Sequence, residues 1–185
     1  MIRLALLLAS ALVAADVPVT VPPREQAART FACPPGAELL GAPPPLGFET
    51  WCELPGEPPA TRRHGPALTW YDDGGLAKAS AFDHGRLEGL FLEWHRNGKP
   101  ARAGRYHAGE REGRWTLWFE SGLREEECGY AHDLQHGPFA AWWPNGRRRS
   151  EGRFCRGLQC GTWTTWDDAG RELGRMTYEE IRGTP

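Results

Sequence analysis

Three residues with metal-ligating side chains, Cys128, His132 and His136, follow one another at intervals of four. On a helix that spacing would stack a thiolate and two imidazoles on one face and suit a zinc ion. Four further cysteines, Cys33, Cys52, Cys155 and Cys160, could form disulfides in an oxidising compartment. A third chemistry is aromatic. The stretch GRWTLWFESG, residues 113–122, packs two tryptophans and a phenylalanine into five positions, a density suited either to a ligand platform or to a core. Choosing between these readings requires knowing which elements carry the residues.

Those elements repeat. Gly65, Gly89, Gly113, Gly137 and Gly161 are each 24 residues apart. Five positions after each stands a tryptophan: Trp70, Trp94, Trp118, Trp142 and Trp166. Nine positions after each stands Gly74, Gly98, Gly122, Gly146 or Gly170, and seventeen after each an aromatic: Phe82, Tyr106, Tyr130, Phe154 or Tyr178. A fixed period over five copies marks a repeat array whose units bury their apolar faces only by stacking. Each unit reads as two strands. The first ends in a turn such as RNGK or PNGR; Asn97-Gly98 and Asn145-Gly146 suit a hairpin in which both turn residues take positive φ. The second ends in a turn with Gly85, Gly109, Asp133 or Gly157. The expected fold is all-β: an elongated array of five 24-residue β-hairpins, about ten antiparallel strands, behind a disulfide-bridged N-terminal cap.

In that frame Cys128, His132 and His136 fall at offsets fifteen, nineteen and twenty-three of hairpin units, and their spacing is a by-product of the repeat. No metal is expected there. Glu125, Glu126 and Glu127 read as a solvated strand and turn. No Ser–His–Asp order, phosphate-cradling loop or helix-borne acid pair appears in a supporting context, so neither an enzyme nor a cofactor is expected.

The aromatic columns divide by strand alternation, which puts offsets two and six on one face and offset five on the other. The strict tryptophan column and the aromatics at offset seventeen are expected to be core. Offset six varies (Tyr71, His95, Phe119, Trp143 and Asp167) and is the expected partner-binding column, with Tyr71, His95, Phe119 and Trp143 as contact residues.

The N-terminal residues MIRLALLLASALVAADVP join a basic start, an apolar run and the small residues Val13-Ala14-Ala15, the pattern of an export signal over 1–15. The apolar run is shorter than the roughly 20 residues that span a bilayer. Residues 16–32 read as a flexible linker, 33–63 as a Pro/Gly-rich cap bridged by Cys33 and Cys52, and 64–185 as the repeats. Cys155 and Cys160 would face each other across a two-residue turn at 157 and 158, which leaves Cys128 unpaired. A formal net charge of −2 with both signs dispersed shows no nucleic-acid footprint and little attraction to an anionic membrane surface.

The units GRWTLWFESG and GPFAAWWPNG, closed by Tyr130 and Phe154, resemble the MORN-repeat family, and more closely its bacterial variant in proteins labelled YwqK-type antitoxins. The resemblance covers residues 64–181. It implies an elongated hairpin array without catalytic residues that contacts proteins or membrane surfaces, and an antitoxin-like role in neutralising a partner. The expected function is therefore a non-catalytic, exported scaffold, in the periplasm, cell envelope or secreted, that binds a protein. The alternatives are a glycan or cell-wall binding module that uses exposed aromatics, and a membrane-surface contact module.

Overall fold

The computed structural model describes residues 19–29 and 31–179; the expected export signal lies outside them. The described residues form one open, 13-stranded antiparallel sheet. The first hairpin pairs β1 (Glu38–Ala42) with β2 (Glu49–Glu53), and β2 pairs in turn with β3 (Arg63–Trp70). The five repeat units follow in chain order. They are β3 with β4 (Leu76–Asp83), β5 (Arg86–Leu87) and β6 (Gly89–Trp94) with β7 (Pro100–His107), β8 (Glu110–Trp118) with β9 (Arg124–Ala131), β10 (Leu134–Trp142) with β11 (Arg148–Cys155), and β12 (Leu158–Trp166) with β13 (Glu172–Tyr178). Strands β1 and β13 are the open edges.

The glycine columns have backbone causes. The five leading glycines all take positive φ, from 64° to 100°, where a side chain would be strained. The second turn of each unit is the two-residue I′ type, with positive φ at His84-Gly85, Ala108-Gly109, His132-Asp133 and Arg156-Gly157. The first turn differs from expectation. Only its glycine has positive φ, and Gly98 N–H donates to the His95 carbonyl at 2.9 Å. This is a type I turn followed by a left-handed glycine. Asn97 instead uses its side chain, which accepts from Lys99 N–H at 3.0 Å and donates to the Glu120 carbonyl of the next turn at 2.8 Å.

The two faces of the sheet have different cores. On one, the cross-strand pairs Phe91–Gly104, Trp115–Cys128, Cys128–Phe139, Phe139–Gly152 and Trp163–Met176, with Gly104 under Trp115 and Gly152 under Trp163 where the register shifts, form a row that alternates large and small. Tyr106, Tyr130, Phe154 and Tyr178 flank it, with edge-on ring contacts such as Phe154 to Trp163 at 4.9 Å. The other face carries the strict tryptophans. In the first two units they stand among apolar partners, Trp70 opposite Leu76 and Leu68 opposite Ala79, then Trp94 opposite Pro100 and Leu92 opposite Ala103. From the third unit onward the same columns turn polar: Trp118 faces Arg124 and Thr116 faces Glu127, Trp142 faces Arg148 and Ala140 faces Glu151.

The N-terminal segment accounts for this change. Residues 16–32 were expected as a linker, yet their described part lies on the tryptophan face. Val19, Val21, Ala27, Ala28 and Phe31 pack against Leu68, Leu76, Leu92, Trp94 and Ala103, and helix α1 (Arg24–Arg29) lies within this cover. Trp94 Nε1 donates to the Pro22 carbonyl at 3.3 Å, and only 1 % of Trp94 remains exposed. Where this cover ends, charged residues take the columns and pair with each other, as in Arg124–Glu127 at 3.0 Å. Val19, Val21 and Phe31 give this segment enough apolar surface to dock once the assembled sheet presents a face for it.

Two other expectations change. The cap contains the β1–β2 hairpin, and β2 is an interior strand despite the surrounding prolines. Its sequence ETWCE alternates and buries Thr50 and Cys52, while the prolines fall between strands. The strand count rises accordingly. Both expected disulfides form, Cys33–Cys52 and Cys155–Cys160. The turn between the latter pair is Arg156-Gly157 rather than 157-158, so the bridge runs diagonally across the hairpin.

Candidate functional site

The expected partner-binding column is occupied within the sheet. Tyr71 Oη donates to the Trp94 carbonyl at 2.7 Å, His95 Nε2 to the Trp118 carbonyl at 2.8 Å, and Trp143 Nε1 to the Trp166 carbonyl at 3.1 Å. Each side chain thus reaches 23 residues forward and ties its unit to the next. The acceptor is always the backbone of a strict-column tryptophan, so that column sets the ladder's rungs. Phe119 holds the same place without a donor and is half-buried. Three different side chains supply the donor, while Asp167 in the fifth unit accepts from Arg171 instead.

The strict columns sit as cores but on opposite faces. Trp70, Trp118, Trp142 and Trp166 are half-buried where Trp94 is fully buried. Trp142 lies between two guanidinium groups, Arg124 at 5.0 Å and Arg148 at 4.7 Å from its ring centroid, a cation–π arrangement that keeps an uncovered indole satisfied in water. Apart from Trp94, the most buried aromatics are those at offset two, Phe91, Trp115, Phe139 and Trp163. Their alternation with glycine at offset fifteen was visible in the sequence as a paired column.

Cys128, His132 and His136 do not converge. Cys128 is buried beneath the aromatic row with 1 % exposure, and burial pushes its thiol up to about 12, leaving it protonated and unreactive. His132 is exposed on the turn rim, where a 2.9 Å hydrogen bond to Glu110 raises its pKa. Neighbouring Asp133 is held below the usual carboxylate range by Arg111 at 2.9 Å. These are surface pairs that join adjacent turns.

Exposed large apolar side chains occur at both open edges, with Leu173 and Met176 on β13 and a denser group at the N-terminal edge. Along β1 and the loop to β2, Leu39 is 59 % exposed, Leu46 87 % and Phe48 55 %. Strand β1 pairs on one side with β2 and with no other described strand. An edge strand with free backbone groups and apolar side chains is the arrangement that takes up another chain. The sequence hinted at it through LGAPPPLGF, where three large apolar residues flank a proline run that no repeat column explains.

No protein-family model matches the chain, and no curated protein matches it. Among solved structures, one similar chain belongs to the glycosylation associate protein (Gap123) complex from Streptococcus agalactiae, at 14 % identity and a TM-score of 0.36. The match covers 63 % of this chain and 20 % of that one. A likeness of this size supports no conclusion about fold, activity or partners.

Proposed function

We propose that the protein is a non-catalytic, exported repeat scaffold of MORN-like hairpins that binds a protein partner at its β1 edge. The observation that carries the reading is the open edge itself, with Leu39, Leu46 and Phe48 exposed beside unpaired backbone. Strand addition would give such a partner main-chain hydrogen bonds, and the apolar side chains would give it selectivity. The rest of the sheet suits a rigid frame, since its aromatic columns are packed or tied unit to unit. That packing also weakens the glycan alternative, which needs a row of exposed rings. Two disulfides agree with export to an oxidising compartment, and no helix among the described residues is long and apolar enough to cross a membrane. An antitoxin-like role fits a partner-binding scaffold and follows from the MORN resemblance.

The test compares the wild type with a Leu46→Asp/Phe48→Asp variant as baits in cell-envelope extract, with a glycan array and liposome flotation in parallel. The proposal expects one protein recovered by the wild type and lost by the variant. Equal recovery by both baits, or binding confined to glycans or liposomes, overturns it.

A further inference from the structure

One rim of the sheet, where the I′ turns lie, is rich in histidine and carboxylate. At its first station three such side chains meet. His64 precedes the leading glycine on β3, Asp83 ends β4, and His84 opens the turn that follows. His64 Nδ1 lies 3.2 Å and His84 Nδ1 2.9 Å from the same Asp83 oxygen, and the two imidazole rings are 4.9 Å apart. The three ligand atoms fall within 4.8 Å of one another, and no other group of three does so among the described residues. The His64 contact is near but misaligned, so this buried Nδ1 has no hydrogen-bond partner. Buried polar atoms in native proteins rarely go unsatisfied, and one that does calls for an explanation.

We propose that His64, Asp83 and His84 bind one divalent first-row transition cation. Two imidazole nitrogens and one carboxylate oxygen are the donors such ions take, at about 2.0–2.2 Å, with the remaining position open to water. An ion among the three would engage the unsatisfied Nδ1 and relieve two histidines of competing for one oxygen.

The backbone holds the set in place. Gly85 N–H donates to the Arg63 carbonyl at 2.8 Å, which ties the turn bearing His84 to the strand bearing His64. A Cβ on Gly85 would meet the Ala60 carbonyl oxygen at 1.9 Å, so only glycine permits the approach. Arg63 is engaged by both oxygens of Glu49, at 3.0 and 3.2 Å, and Arg86 stands opposite Asp83 across the hairpin. The corresponding positions in the second to fifth units are Glu88, His107 and Ala108, then Glu112, Ala131 and His132, then His136, Cys155 and Arg156, then Cys160, Glu179 and Glu180. Each set lacks at least one available ligand, because Cys155 and Cys160 are joined in a disulfide. The repeat therefore predicts a single ion per chain.

Calorimetric titration of the chelator-treated full chain with zinc chloride, and separately with nickel chloride, tests the site. The wild type should saturate at one ion per chain. His84→Ala and Asp83→Asn should each weaken binding at least about tenfold, since even outer-shell changes reach that size. His107→Ala, at the incomplete neighbouring station, should leave it unchanged. The His84→Ala backbone is expected to hold because Ala108 occupies the equivalent turn position with φ 52°; should its far-ultraviolet spectrum change, Asp83→Asn decides alone. Absence of saturable binding by the wild type, wild-type affinity in Asp83→Asn, or loss on His107→Ala alone overturns the proposal.

Discussion

Gly104 lies directly beneath the indole of Trp115: a Cβ built on that glycine would stand 2.2 Å from the ring. Gly152 and Trp163 repeat the relation at 2.3 Å. Where the residue below is Cys128, the aromatic is the smaller Phe139. Overpacking typically costs about 1–3 kcal/mol, so Gly104→Ala should destabilise the sheet by that amount in urea unfolding. Adding Trp115→Phe should restore part of the loss. If the two changes are simply additive, the contact is not the cause.

The two ends of the tryptophan face should respond unequally. Trp94 is covered by the N-terminal segment, and Trp94→Ala should cost about 3–5 kcal/mol, as large aromatic truncations do. Trp142 has only arginine stacking over it, and Trp142→Ala should cost clearly less. Equal losses would mean that the segment at 19–31 contributes little to stability.

The inter-unit ladder can be tested one rung at a time. Tyr71→Phe keeps the ring and removes the donor to the Trp94 carbonyl. Unfolding free energy should fall by about 0.5–1.5 kcal/mol, the usual net worth of one such bond. Phe119→Tyr, which introduces a hydroxyl where the ladder lacks a rung, should hold or raise the melting temperature; a marked drop would argue against a ladder position there.

Opening the Cys33–Cys52 bridge releases a longer loop than opening Cys155–Cys160. On the chain-entropy account the Cys33→Ser/Cys52→Ser variant should lose about 3 kcal/mol and the Cys155→Ser/Cys160→Ser variant about 2. Differential scanning calorimetry of the two variants gives the order, and the reverse order would contradict it.

Cys128 has a native pKa of about 12, raised chiefly by burial and secondarily by Glu126. In the unfolded chain a thiol ionises near about 8.5. The stabilisation from keeping it protonated is therefore fully present below that value and is lost as pH rises toward about 12. Native protein at pH 8 should resist alkylation at Cys128, and Cys128→Ala should flatten the alkaline decline in stability. Rapid native labelling would refute the burial account.

The sequence alone determined what obeys local rules at a fixed period. Glycines that need positive φ recur every 24 residues, strand alternation sorts the columns between two faces, and the spacing of Cys155 and Cys160 lets them bridge one hairpin. Tertiary structure decided what each face meets, because the covering group comes from elsewhere in the chain. Val19 and Val21 reach Leu92 and Trp94 across some 70 positions, so nothing local distinguishes a docked segment from a linker. Tyr71 reads as a free, variable aromatic until the next hairpin brings the Trp94 carbonyl within 2.7 Å. His64 and His84 likewise stand 20 positions apart until β3 and β4 pair and turn both toward Asp83. Contacts made by stacking depend on the neighbour's position, and only the assembled sheet supplies that position.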